Sequence, residues 1–135
     1  MYKKLYHNKK TKNGFTLIEL IFVVSVISIL ALLGLRLYAG QQDKARDAIV
    51  RGNMCTVHTA IQGVFADNQD QSLAEARDAA AECGIKNPYT NTDDSGFDTP
   101  AEGALVITGA DGGPFTITGY GKGGIALPDP FIANP

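Results

Sequence analysis

The side chains in this sequence that could do chemistry are few and widely spaced. It has two cysteines, Cys55 and Cys83, and two histidines, of which only His58 lies beyond the first fourteen residues. That set is too small for a standard zinc site. No serine or cysteine stands in a spacing that would nominate a nucleophilic triad with His58, and a lone helical histidine is ordinarily a partly exposed surface residue. Asp93, Asp94, Asp98 and Asp111 place carboxylates in glycine-containing loops, but without EF-hand spacing. They read as solvated loop acids more readily than as a calcium site. No catalytic residue, metal site or cofactor is expected, and nothing points to an enzyme. Cys55 and Cys83 leave two readings open. They are a structural staple if two elements bring their Cα atoms within about 7 Å, or else two separate thiols.

The remaining chemical oddity is Glu19. From Phe15 to Leu35 the only polar side chains are Thr16, Glu19, Ser25 and Ser28. At about 1.5 Å per residue such a helix spans roughly 30 Å, enough to cross a bilayer core. A carboxylate there costs several kcal/mol unless it finds a partner. A milder reading makes Thr16 the N-cap and Glu19 the N3 residue of a capping box, where a first-turn acid also suits the helix dipole. That reading leaves the preceding junction unexplained. A secretory signal carries its small-residue cleavage site after the apolar run, whereas here Gly14 stands before it, behind the basic leader Met1–Gly14.

Gly14-Phe15-Thr16-Leu17-Ile18-Glu19-Leu20 resembles the class III signal of type IV pilins and pseudopilins. The resemblance covers about the first quarter of the chain. It implies cleavage between Gly14 and Phe15 by a prepilin peptidase and N-methylation of Phe15. It also implies an assembly salt bridge from Glu19 of one subunit to the Phe15 amine of its neighbour. A carboxylate in an apolar bundle needs a counter-charge, so the local chemistry agrees.

The leader holds Lys3, Lys4, Lys9, Lys10 and Lys12 and no acid. Its loss leaves 121 of the 135 residues and moves the formal charge from −2 to −7. A basic leader on the cytoplasmic side sends the C-terminus outward, where disulfides can persist. An acidic mature chain argues against nucleic acid as a ligand. One modest domain beside the membrane segment is all that this length allows.

No proline interrupts the helix before Pro88, so it is expected to run far past the membrane segment, weakened around Gly34 and Gly40. From Gln41 to Phe65, the residues Val50, Met54, Val57, Ile61 and Val64 form one apolar stripe that should take the head. Ala45, Ala48, Gly52, Cys55 and Thr59 form an opposing stripe of small residues, free for close packing or merely solvated. Asp43 with Arg46, and Asp47 with Arg51, sit at helical ion-pair spacing and read as surface decoration. Ser72 to Glu82 reads as a second short helix with Ser72 as N-cap, Glu75 completing the box and Gly84 beyond the C-terminus. Ala104–Thr108, Pro114–Thr118 and Gly124–Leu127 should make a three-stranded meander, with a fourth strand conceivable in the loop Lys86–Gly103. Tyr38, Phe65, Tyr89 and Tyr120 read as packing residues, and Pro128, Pro130 and Pro135 as marking an irregular tail.

The expectation is an α+β, pilin-like chain: a leader (1–14), a membrane or filament-core helix (15–40) and a head (41–135) that includes the C-terminal half of the long helix. The resemblance implies a pilus subunit held in the inner membrane as a prepilin and then polymerised into an extracellular filament. Its partners would be identical subunits, the prepilin peptidase, the inner-membrane assembly platform and, before assembly, the membrane. The alternatives are a type II secretion pseudopilin and, from another class, a single-pass membrane-anchored binding module.

Overall fold

A computed structural model describes residues 14–94 and 96–135. The expected leader, Gly14 apart, lies outside the described residues. The chain divides into two compact units, one ending at Tyr38 and one spanning Ala39–Pro135. Helix α1 runs from Leu17 to Asp67. Its helical assignment continues through Gly34 and Gly40, so the expected weakening there does not appear as a break.

In the second unit, α1 presents Val50, Met54, Val57, Ile61 and Phe65 to the core. The fifth position is Phe65 and not Val64, which is only half-buried. The spacing of 4, 3, 4 and 4 keeps these residues on one face. Helix α2 (Leu73–Glu82) starts where the sequence says it should. Ser72 accepts from the Glu75 amide, and the Glu75 carboxylate accepts from the Ser72 amide at 2.8 Å. Asp111 Oδ1 accepts from the Leu73 amide at 2.8 Å, so a third acceptor serves the same helix end. Gly84, at φ +59, takes the left-handed position after α2.

Three antiparallel strands follow: β1 (Leu105–Gly109), β2 (Phe115–Gly119) and β3 (Phe131–Ala133), in the order β1-β2-β3. The third strand corrects the sequence expectation. Gly123 and Gly124 adopt φ of +71 and +69 and belong to a 3₁₀ turn, Lys122–Gly124, leaving only an isolated bridge between Tyr120 and Ala126. The tail, expected to be irregular, instead supplies Phe131-Ile132-Ala133 to pair with Ile117-Thr116-Phe115. Pro130 sits just before that strand, where its missing N–H removes no ladder bond. The loop Lys86–Gly103 contributes one isolated bridge, Lys86 to Asp93, and no strand among the described residues.

Leu105, Val106 and Ile107 are all buried, so β1 is covered on both faces, whereas Phe115, Ile117 and Gly119 of β2 alternate inward. Gly119 is where the sheet meets α1. A Cβ there would stand 2.6 Å from both Met54 Sδ and Val50 Cγ1. The free edge of β3 is closed by the helix: His58 Nε2 bonds the Ile132 carbonyl and Gln62 Nε2 donates to the Asn134 carbonyl, both at 3.1 Å. An open strand edge invites pairing with other chains, and these two side chains occupy it.

Gln71 is the one core residue at odds with its surroundings. It is fully buried, yet neither its amide nitrogen nor its oxygen has a hydrogen-bond partner. An unsatisfied buried amide costs about 1–3 kcal/mol. Gln71→Met, close in volume and apolar, is therefore expected to stabilise the head by roughly 1 kcal/mol or more, read as a higher urea midpoint of unfolding. A lowered midpoint would show that Gln71 is satisfied after all.

Candidate functional site

At the start of α1, Thr16 is the N-cap. Its Oγ1 accepts from the Glu19 amide at 3.3 Å, and its hydroxyl approaches Glu19 Oε2 at 3.5 Å. The backbone arm of the capping box is thus made, while the Glu19 carboxylate holds only a weak contact. The ion pair found among the described residues, Lys122 with Asp43, is elsewhere, so Glu19 meets no cation within them.

Between Glu19 and Arg36 the helix surface is unrelieved hydrocarbon. Phe15, Leu17 and Ile18 are at least 75% exposed, and every large apolar residue on to Tyr38 is exposed as well. Soluble monomers rarely leave so large a contiguous apolar surface uncovered. Ser25 and Ser28 do not interrupt it, because each hydroxyl donates back to the carbonyl four residues earlier, Ile21 and Val24, at 2.7 Å. Their polar atoms are satisfied inside the helix, as an apolar surrounding requires. By length and composition the segment can cross a membrane. Gly14, at the junction, has open space around it: a Cβ there would meet no atom within 4 Å.

In the head, Asp43 and Asp47 of α1 reach partners far along the chain. Asp43 pairs with Lys122 of the 3₁₀ turn at 2.6 Å, and this exposed pair pushes the Lys122 ammonium up. Asp47 accepts from the Tyr89 hydroxyl at 2.8 Å, and the Arg46 guanidinium lies 5.1 Å from the Tyr89 ring centre. The expected local pairs with Arg46 and Arg51 give way to partners far along the chain. Tyr89 is positioned by Asn87, a buried side chain whose oxygen accepts from the Tyr89 and Thr90 amides while its nitrogen donates to the Glu102 carbonyl. Phe65 is buried as a packing residue, but Tyr38 is 62% exposed.

Burial and the bond to Asp47 push the Tyr89 phenol up to about 12. The folded value lies above the unfolded one. The interaction therefore contributes stability that is complete below about pH 10 and is lost as pH rises through 12. Absorbance titration at the phenolate band is expected to show a late step that Tyr89→Phe removes and Asp47→Asn shifts to lower pH. An unchanged curve in Asp47→Asn would refute the assignment.

The loop acids are separately engaged. Asp94 Oδ2 accepts from the Leu105 amide at 2.8 Å; burial pushes its carboxyl up, against the opposing pull of that bond. Asp111 caps α2, and Asp98 accepts from the Thr99 hydroxyl at 3.0 Å. Among the described residues no three His, Cys, Asp or Glu side chains come together as metal ligands. Cys55 and Cys83 are both free thiols, so no staple joins them in this structure, yet they line the same shallow groove. The small-residue stripe, Ala45, Ala48, Gly52, Cys55 and Thr59, is exposed along its whole length.

The long helix and the small three-stranded antiparallel sheet are consistent with an α+β pilin fold. Residues 9–35 match the family described as the prokaryotic N-terminal methylation motif. The chain is also similar to the type IV major alpha-pilin of Moraxella bovis, with 30% identity over 82 residues, 60% of this chain and 52% of that protein. The match thus spans about half the length of that relative. No solved structure matches the chain. Together these likenesses support the type IV pilin family, whose members are structural proteins and not enzymes.

Proposed function

We propose that this chain is the structural subunit of a type IV pilus. Its leader is cut between Gly14 and Phe15, Phe15 is N-methylated, and the apolar helix packs into the core of a helical filament of identical subunits. Prepilin peptidase and an inner-membrane assembly platform act on it while the helix still lies in the membrane. The filament then stands outside the cell. The observation that carries this reading is the exposed apolar surface from Phe15 to Leu35, preceded by the Gly14–Phe15 junction and carrying Glu19 as its one ionisable side chain. Lipid covers that surface before assembly, and neighbouring copies cover it after. A heterologous contact whose rotation does not close generates an open filament.

Mass spectrometry of the chain in sheared surface material and in the membrane fraction tests this. An abundant N-methylated chain beginning at Phe15 in the sheared material is the expected result. The same chain confined to membranes would overturn the pilus assignment in favour of a pseudopilin. A chain that retains its leader in both fractions would overturn processing altogether and leave a membrane-anchored module.

A further inference from the structure

Cys55 and Cys83 line one groove with Gly52, Thr56, Thr59 and Ala60, so the walls between the two thiols carry only short side chains. Cys55 lies exposed on α1, while Cys83 is the C-cap of α2 and packs at the edge of the core. Cys83 follows the buried Ala76 and Ala80 at positions i+7 and i+3, which puts all three on one face of α2. A separate contact fixes the same neighbourhood. Asn53 Nδ2 donates to the Lys86 carbonyl at 3.1 Å, joining α1 two residues before Cys55 to the chain three residues past Cys83. Cys83 Sγ is turned towards the Ala79 carbonyl at 3.4 Å, a weak thiol bond that one side-chain rotation releases.

We infer that Cys55 and Cys83 are a thiol pair that closes into an intrachain disulfide across this groove, stapling α2 to α1 when the head meets a disulfide-bearing oxidant. The inference needs the head to reach an oxidising compartment and does not depend on filament assembly. Cys55, the more exposed, attacks first: its thiolate displaces one thiolate from the oxidant and forms a mixed disulfide. Burial and the neighbouring Glu82 push the Cys83 thiol up, which makes it the slower of the two to ionise and hence the second to react. Once deprotonated, its thiolate attacks the Cys55 sulfur and expels the second oxidant thiol. Two protein thiols are oxidised, one oxidant disulfide is reduced to two thiols, and the two protons pass to those leaving groups.

The test uses the reduced full-length chain in detergent with oxidised glutathione as the oxidant, followed by alkylation, intact mass and peptide mapping. The expected product is lighter by two hydrogens, carries a Cys55–Cys83 linked peptide and keeps no glutathione. Its unfolding equilibrium constant should fall by about 400-fold, the effect of closing a loop of this size, and the Cys55→Ser/Cys83→Ser double variant should show no such change under the same oxidant. Cys83→Ser should trap one glutathione on Cys55, faster than Cys55→Ser traps one on Cys83. Wild-type chains that hold stable glutathione on both cysteines, stay fully alkylatable, or link only between molecules would overturn the inference.

Discussion

Phe115→Ala is expected to destabilise the head by about 3–5 kcal/mol, the range for deleting a fully buried phenylalanine. The ring is completely buried and stacks on Phe65 with centroids 5.3 Å apart. Its cross-strand neighbours are Gly109 on β1 and Ala133 on β3. Both are small, which leaves room for the ring but gives the site little with which to refill a cavity. That places the loss in the upper part of the range. A Cβ on Gly109 would stand 2.5 Å from Phe115 Cδ1 and 2.7 Å from the Pro114 carbonyl, so the pocket tolerates no addition either. Since whole-domain stabilities run about 5–15 kcal/mol, this one change removes about a quarter or more of the total. Urea unfolding followed by circular dichroism measures it. A loss under about 1 kcal/mol would mean that the sheet does not rest on this ring.

How legible this was depends on the range of the interaction that decides each element. The Ser72–Glu75 capping box and the stripe Val50, Met54, Val57 and Ile61 are local patterns, and both stand in the structure as read. Pattern and structure part only at the end of the stripe, where a strict 3.5 spacing selects Val64 and the sheet selects Phe65, whose ring reaches Phe115. Helical spacing, visible in one dimension, offers Asp43 and Asp47 only local partners. Lys122 and Tyr89 reach them only through the tertiary fold.

The third strand failed for the same reason. Phe131-Ile132-Ala133 is short and lies among prolines, and what makes it a strand is the unpaired edge of β2 on one side and His58 and Gln62 on the other. Nothing in the spacing of His58 and Gln62 announces that role, although two polar side chains at i and i+4 beside an apolar stripe are a usable hint. Phe97 was equally unforeseen: a buried ring at φ +49, its carbonyl accepting from Ile107. A bulky residue in that conformation is held by its surroundings and not by preference.

Glu19→Ala is expected to abolish surface filaments while leaving leader cleavage, methylation and membrane content near normal. The structure separates the two roles that Glu19 could have. Its backbone amide, which any residue supplies, makes the 3.3 Å bond to Thr16 Oγ1, and its carboxylate adds only the 3.5 Å contact. Replacement by alanine therefore keeps the principal cap. What it removes is the carboxylate that a neighbour's Phe15 amine would need, and stripping one partner from a buried pair costs about 3–5 kcal/mol. A filament repeats that loss at every subunit.

Thr16→Ala is the discriminating control, because it deletes the cap, worth about 1 kcal/mol, and leaves the carboxylate in place. If Glu19 acts by capping, Thr16→Ala should lose filaments at least as severely as Glu19→Ala. If it acts by pairing across subunits, Thr16→Ala should still assemble and Glu19→Ala should not. Immunoblots of sheared and membrane fractions, with the N-terminus confirmed by mass spectrometry, distinguish the two. Normal piliation in Glu19→Ala would refute pairing outright, and the carboxylate would then be no more than a favourable charge at the start of a helix.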